Sequence, residues 1–114
     1  MSDHITITPA GGTWVVRAGG AVLGESDAAL ILREGGHDPV AYFPRDDIAM
    51  EFLDDSDKTT TCPHKGEARH FSIVTKSRTI PDAVWSYEHP KEDVADIAGH
   101  LAFYTGDLVT VEEV

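Results

Sequence analysis

Short apolar runs that end at glycine or proline dominate this sequence, and they favour a fold built mostly of strands. Residues 5–8 alternate apolar and polar side chains with a period of two, which is typical of a half-buried strand. Residues 13–17 and 21–23 flank Gly19 and Gly20, and they predict a hairpin because both turn residues tolerate positive φ. Further strands are predicted at residues 28–33, 40–43, 68–75, 84–87, 101–104 and 108–111.

Two segments depart from this period and are predicted to be helical. A short helix can begin at Asp46 or Asp47, followed by a solvated acidic loop at residues 54–57. A longer C-terminal helix is predicted to begin at Pro90, with one apolar stripe at helical spacing. The stripe consists of Val94, Ile97, Ala98 and Leu101. The fold class is therefore expected to be α+β and mainly β, with a single sheet, one short helix and one longer C-terminal helix.

Length, charge and the N-terminal residues limit the class of protein. A chain of 114 residues without linker or repeat predicts one domain over residues 1–114. The net charge of −11 repels phosphate backbones and anionic lipid surfaces, so neither a nucleic acid nor a membrane is expected as a partner. The first residues lack the basic and apolar regions of a signal peptide, and the lone Cys62 cannot form an internal disulfide. We therefore expect a cytoplasmic protein.

The segment Thr61-Cys62-Pro63-His64-Lys65-Gly66 carries the side chains with the most reactive chemistry. Cys62 is a candidate nucleophile if its thiol is exposed beside positive charge; the alternative is a buried structural thiol. Lys65 lies in a tight loop, where it can offer a positive charge to a carboxylate or phosphate, or remain a solvated surface lysine. Cys62 and Lys65 are the catalytic candidates, and Thr61 adds a hydroxyl to the predicted ligand site.

Aromatic side chains predict a pocket near this loop. Trp85 and Tyr87 are two residues apart, so on a strand they share one face. Together with Tyr42 and Phe103 they can line a small-molecule pocket, although packing in the core is the competing interpretation. Glu88 can act as a general base if it is buried near Lys65. The predicted ligand-binding residues are Tyr42, Thr61, Lys65, Trp85, Tyr87 and Glu88.

No metal or cofactor site is predicted. The six histidines are scattered, none forms a His-x-x-x-His pair, and His64 lies too close to Cys62 to complete a tetrahedral site with it. The acidic run at residues 54–57 lacks the ligand spacing of a calcium loop. We therefore expect neither a bound metal nor a cofactor.

Five blocks of the chain resemble one protein family in order and spacing. They span residues 22–26, 42–44 with Asp47, 61–68, 83–87 with Pro90, and 102–104. On these blocks the chain is identified as a member of the DUF427 family of small uncharacterised proteins. The resemblance implies a compact β-tent-like sheet. Zinc proteins of similar architecture use two Cys-x-x-Cys pairs, a site that a chain with one cysteine cannot build in that form.

Three hypotheses for the function remain open. The preferred one is a module that binds a small, anionic molecule in a cleft near Lys65, Trp85 and Tyr87. The second is an enzyme that uses Cys62 or Lys65 as a nucleophile or as an acid or base. The third is an interaction domain that forms a homo-oligomer through exposed strand edges.

Overall fold

The computed structural model describes residues 4–114, which form ten strands arranged in three antiparallel sheets. The strands are β1 Ile5–Pro9, β2 Trp14–Ala18, β3 Ala21–Ser26, β4 Leu30–Glu34, β5 Val40–Tyr42, β6 Leu53–Cys62, β7 Gly66–Val74, β8 Thr79–Ser86, β9 Ala102–Phe103 and β10 Val109–Glu113. The sheets have the orders β1-β4-β5, β10-β2-β3 and β6-β7-β8-β9. No helix within residues 4–114 is long and apolar enough to cross a membrane.

The predicted hairpin around the two adjacent glycines is confirmed. β2 pairs antiparallel with β3, and Ala18 lies opposite Ala21 at the closed end. Gly19 and Gly20 have φ values of 55° and 85°, a region that glycine enters without steric cost. The local sequence therefore determined this turn.

The predicted single β-tent-like sheet with a short helix and a longer C-terminal helix is wrong. In place of the longer helix there is a 3-10 segment, Glu92–Ile97, which is interrupted at Val94 with φ −124° and ψ 28°. Val94 and Ile97 are buried at a spacing of three, which suits a 3-10 helix. Leu101 instead exchanges two backbone hydrogen bonds of 2.8 Å with Phe43. The residues of the predicted apolar stripe are thus divided between a 3-10 segment and a strand-like backbone pairing, and they do not form one helix face.

The region around residues 45–57 also differs from the prediction. The short helix is replaced by two 3-10 turns, Arg45–Asp47 and Met50–Phe52. The acidic residues predicted to form a solvated loop belong to β6, whose side chains are mostly exposed. Pairing with β7 holds this polar segment extended, with an irregularity between Asp55 and Thr59. Here the partner strand outweighs the weak strand preference of aspartate.

Two apolar clusters make up the core and set the position of the site. The larger cluster takes its buried strand residues from the β10-β2-β3 and β6-β7-β8-β9 sheets, with Ala41 of β5 packed against it; Val16, Phe43 and Val84 in this cluster are fully buried. The smaller cluster holds Tyr42 and Ile97 beneath β8. Because Phe43 bridges to Leu101, the end of β5 is fixed beside β9 and next to the aromatic side chains of β8.

Candidate functional site

The loop between β6 and β7 is a tight hairpin turn that holds Lys65 against the protein. Cys62 and Gly66 form the last cross-strand pair, and the Lys65 amide donates to the Cys62 carbonyl at 3.2 Å. The Lys65 carbonyl accepts a 2.9 Å hydrogen bond from the Lys91 amide, which ties the loop to the segment after β8. Gly66 has φ of 113°, a conformation that other residues rarely adopt. The backbone therefore limits where the Lys65 side chain can reach.

Lys65 forms an ion pair with Glu34 at the end of β4. The Lys65 Nζ atom lies 2.8 Å from Glu34 Oε1, and the two side chains are 11% and 17% exposed. Burial alone would lower the pKa of Lys65, but the hydrogen bond with Glu34 and nearby Cys62 and Tyr87 raise it above its usual value. The same hydrogen bond holds the pKa of Glu34 below its usual value. The contact with Glu34 thus favours the charged ammonium form of Lys65.

Aromatic side chains line the cleft beside this ion pair. The Trp85 indole N–H donates to the Tyr42 hydroxyl at 3.2 Å, and their rings meet edge to face. Tyr104 lies against Trp85 with ring centroids 4.4 Å apart. Burial raises the pKa of the Tyr42, Tyr87 and Tyr104 hydroxyls, so all three remain neutral at physiological pH. The Trp85 and Tyr104 rings, inclined to each other by 44°, offer an apolar aromatic surface with polar hydroxyls close by.

This cleft is a cavity of about 430 Å³ that is lined both by the ion pair and by these rings. Five predicted site residues line it together: Tyr42, Cys62, Lys65, Trp85 and Tyr87. Cys62, which also lines this cavity, is a half-buried residue. A volume of this size suits a small organic molecule.

Thr61 and Glu88 do not join the other predicted site residues. Thr60 lines the cavity, so its neighbour Thr61 points to the opposite face of the sheet, because strand side chains alternate. Glu88 instead binds two guanidinium groups, at 2.9 Å from Arg45 and 3.3 Å from Arg69. Burial alone would raise the pKa of Glu88, but the hydrogen bond from Arg45 and the charge of Arg69 hold it below its usual value.

Glu88 belongs to a charged network on the face opposite the cleft. We call this set, Arg45, Arg69, Glu88 and Asp55, the arginine network. Arg69 also binds Asp55 at 2.6 Å, and Arg45 donates to the Gly99 carbonyl at 3.2 Å. Both guanidinium groups lie over the Phe71 ring, at 5.7 Å for Arg45 and 4.9 Å for Arg69. These contacts join β6, β7, the segment after β8 and the first 3-10 turn.

The family model described as a domain of unknown function, DUF427, matches residues 6–114. The chain belongs to this family. The identification from the five sequence blocks is thereby confirmed over nearly the whole chain. No curated protein matches the chain in sequence. The function of this DUF427 domain must therefore be inferred from the chemistry of its cleft.

Several cleft residues of the DUF427 domain were missed by sequence reasoning. The principal ones are Glu34, Tyr104 and Thr60. Tyr104 directly follows β9, and its position beside Trp85 depends on the pairing of β9 with β8. Glu34 ends a strand that is distant in sequence from Lys65, so no local pattern links the two. Only the strand pairing of the fold brings these side chains together.

The described part of the DUF427 domain contains no evident metal centre. Within residues 4–114, no three His, Cys, Asp or Glu side chains lie close enough to hold a metal ion. His37 and His64 line the cleft together with Cys62, but they belong to no metal-holding group of three within residues 4–114. The ion pair, the thiol and the aromatic rings are the principal chemical groups that line the cleft.

Proposed function

We propose that this DUF427 domain binds a small molecule that has a flat ring and an anionic group, in the cleft beside Lys65. The observation that carries the proposal is the lining of one cavity of about 430 Å³ by both the Lys65–Glu34 pair and the Trp85 and Tyr104 rings. A few fixed polar groups beside an aromatic wall are the usual composition of a small-molecule site.

The Trp85 and Tyr104 rings would contact the flat part of the ligand. Tyr104 is 49% exposed although it is a large aromatic residue, and Trp85 is half-buried. A planar ligand would cover this exposed surface and gain aromatic contacts worth about 0.5–1.5 kcal/mol beyond the area buried. The neutral hydroxyls of Tyr42 and Tyr87 can donate hydrogen bonds to the same molecule.

Lys65 would contact the anionic group. A lysine ammonium has three N–H donors, and within residues 4–114 the Nζ atom of Lys65 donates to Glu34 alone. The remaining donors are available to a ligand carboxylate, whereas the negative charges of Glu34 and Asp38, which also line the cleft, would repel it. This balance favours a ligand with a single negative charge over a polyanion such as a nucleoside triphosphate.

Benzoate and its uncharged analogue benzamide provide the test. Binding of each probe would be measured by titrating the ¹⁵N-labelled protein and following the backbone amide resonances. We expect benzoate to bind more tightly than benzamide, and Lys65→Met to abolish this preference. We expect Glu34→Gln to tighten benzoate binding severalfold, because it removes the competing negative charge while keeping a hydrogen-bond acceptor for Lys65.

Lys76→Met is the matched control, since it removes the same charge from an exposed turn away from the cleft. It should leave the preference for benzoate unchanged. Equal binding of benzoate and benzamide, an equal loss in both lysine variants, or no binding of either probe would contradict the proposal.

Catalysis by Cys62 and assembly into a homo-oligomer stay predictions. Cys62 lines the cleft with part of its surface exposed, so a ligand bound there would lie near its thiol. The raised pKa of Lys65 argues against its use as an amine nucleophile, since that role requires the uncharged form.

A further inference from the structure

A second cavity of about 480 Å³ adjoins the cleft. The two cavities share four lining residues: Asp38, Val40, Trp85 and Tyr104. We call the second cavity the apolar lobe. Because Trp85 and Tyr104 line both spaces, a molecule lying against these two rings would have access to each of them.

The lining of the apolar lobe differs in chemistry from that of the cleft. Its other walls include Trp14, Ile31, Ala41, Phe103 and Val111, which come from all three sheets. The Trp14 indole N–H is already bonded to the Gly11 carbonyl at 2.7 Å, so the polar atom of this ring has its partner. The Lys65–Glu34 pair lines the cleft and not the apolar lobe.

We infer that the site binds an amphiphilic molecule whose apolar tail occupies the apolar lobe. The anionic head would lie beside Lys65, the ring against Trp85 and Tyr104, and an alkyl or aryl tail against Phe103 and Val111. The position of the head rests on the proposed function, whereas the position of the tail rests on the lining of the apolar lobe. Each space alone lies within the usual range of about 300–1,000 Å³ for a small-molecule site, and the lining residues that the two spaces share would let one ligand extend from the cleft into the apolar lobe.

A series of 4-alkylbenzoates tests this inference, because the carboxylate and the alkyl chain lie at opposite ends of the ring. Dissociation constants would be measured for the methyl, ethyl, propyl, butyl and hexyl members. Burial of one methylene contributes about 0.8 kcal/mol, so we expect affinity to rise about fourfold for each added carbon until the lobe is full. A dependence this steep requires that the chain leave water.

Ala41→Phe is designed to fill the apolar lobe without touching the cleft, since Ala41 lines the apolar lobe and not the cleft. We expect this variant to remove most of the dependence on chain length and to leave the affinity for benzoate within about twofold. Val22→Phe is the matched control: it adds the same ring at an exposed position outside both spaces and should keep the full dependence. If Ala41→Phe does not fold, Val111→Phe fills the lobe from another sheet.

The possible outcomes test the binding site of the tail and the binding site of the head independently. Binding of benzoate with an affinity that does not change along the series would overturn the apolar lobe as a binding site and leave the proposed function standing. A steep series that is insensitive to Lys65→Met would support the lobe and contradict the proposed function. A steep series that survives both lobe-filling variants would also overturn the inference, because the tail would then lie elsewhere.

Discussion

The two faces of the β6-β7-β8-β9 sheet combine charged and aromatic side chains in opposite ways. On one face, Arg45 and Arg69 of the arginine network lie over Phe71, and each guanidinium binds more than one partner. On the other face, Lys65 pairs with Glu34 and lines a cavity together with Trp85. The number of charges therefore does not locate a binding site. Unused hydrogen-bond donors beside a cavity are the better indicator.

The largest expected effect is on stability and falls on the arginine network. Glu88→Ala removes the acceptor shared by Arg45 and Arg69. Hydrogen bonds to charged groups contribute about 1.5–3 kcal/mol, and partial exposure reduces this, so we expect a loss of about 2 kcal/mol in the free energy of unfolding. Urea denaturation measures it. Binding of benzoate should be unchanged, because Glu88 lies on the opposite face.

The contribution of Glu88 to the free energy of unfolding should depend on pH. The pKa of Glu88 in the folded protein lies below its ordinary value of 4.5, so the carboxylate stabilises the fold above that pH. The contribution is lost as the pH falls through the folded pKa. The stability difference between wild type and Glu88→Ala should therefore shrink below pH 4.5. Glu112→Ala, which removes an exposed partner 4.0 Å from Arg17, should cost less than about 0.5 kcal/mol. Equal losses in both variants would contradict this ranking.

The Lys65–Glu34 pair is expected to contribute less to stability and more to binding. Lys65→Met leaves a mostly buried carboxylate without its cation, and we expect a loss of about 1–2 kcal/mol in the free energy of unfolding. In a double-mutant cycle with Glu34→Gln, the two losses should be non-additive by about 1 kcal/mol. Additive losses would show that the two side chains do not interact. Loss of the preference for benzoate over benzamide should accompany Lys65→Met and not Glu88→Ala, which would distinguish the two faces of the sheet by their effect on binding.

A smaller effect concerns His70, which is buried on the cleft side of the sheet next to Tyr104. Its Nε2 atom lies 3.4 Å from the Tyr104 hydroxyl, and the two rings stack. Burial and the nearby Lys58 lower the pKa of His70 below its ordinary value of 6.5. Below pH 6.5 the unfolded chain therefore binds a proton that the folded protein excludes, and stability falls by at most about 1.4 kcal/mol per pH unit.

His70→Phe keeps an aromatic ring beside Tyr104 and removes this proton. Relative to this variant, the wild type should lose stability between pH 7.5 and pH 5.5, by at most about 1.4 kcal/mol. The difference between the two proteins should stay constant above pH 7.5. Parallel stability curves over the whole range, measured by urea denaturation, would show that His70 titrates normally.

The strands were largely predictable from the sequence because their signals are local. Alternation with a period of two and the glycine pair at residues 19 and 20 are sufficient for the β2–β3 hairpin. The absence of the longer helix was not predictable from the local sequence. The apolar stripe that ends at Leu101 has helical spacing, but the backbone of Leu101 pairs with that of Phe43, which is distant in sequence. The acidic residues of β6 were also mispredicted, because pairing with β7 holds them in an extended conformation that their own sequence does not favour.

The candidate site divides in the same way. Trp85 and Tyr87 were placed on one face by strand alternation, and both line the cavity. Thr61 was assigned to the site although Thr60 lines it, because the turn closes with Cys62 opposite Gly66 and this register decides which threonine faces the cleft. A shift of one residue reverses the face, so the choice requires the exact turn. The pairing of Lys65 with Glu34 could be identified only from the three-dimensional fold.

The smallest expected effect concerns Cys62, and it tests the difference between the two faces within one strand. Cys62 is the only cysteine, is partly exposed and lines the cleft. Iodoacetamide is small and uncharged, so its rate of reaction reports access to the thiol. At a concentration of 4-butylbenzoate equal to twice its dissociation constant, two thirds of the sites are occupied, and the rate should fall about threefold. The rate would be followed by intact mass at pH 8.

The matched control moves the thiol by one residue to the other face. In a Cys62→Ser background, Thr61→Cys places the single thiol at an exposed position that does not line the cleft. Its reaction with iodoacetamide should be unaffected by 4-butylbenzoate. Equal protection at both positions would mean that the ligand acts on the whole hairpin rather than by covering the cleft. No protection of Cys62 by a ligand that binds would place that ligand away from the thiol, because a molecule held between Lys65 and Trp85 cannot leave Cys62 fully accessible.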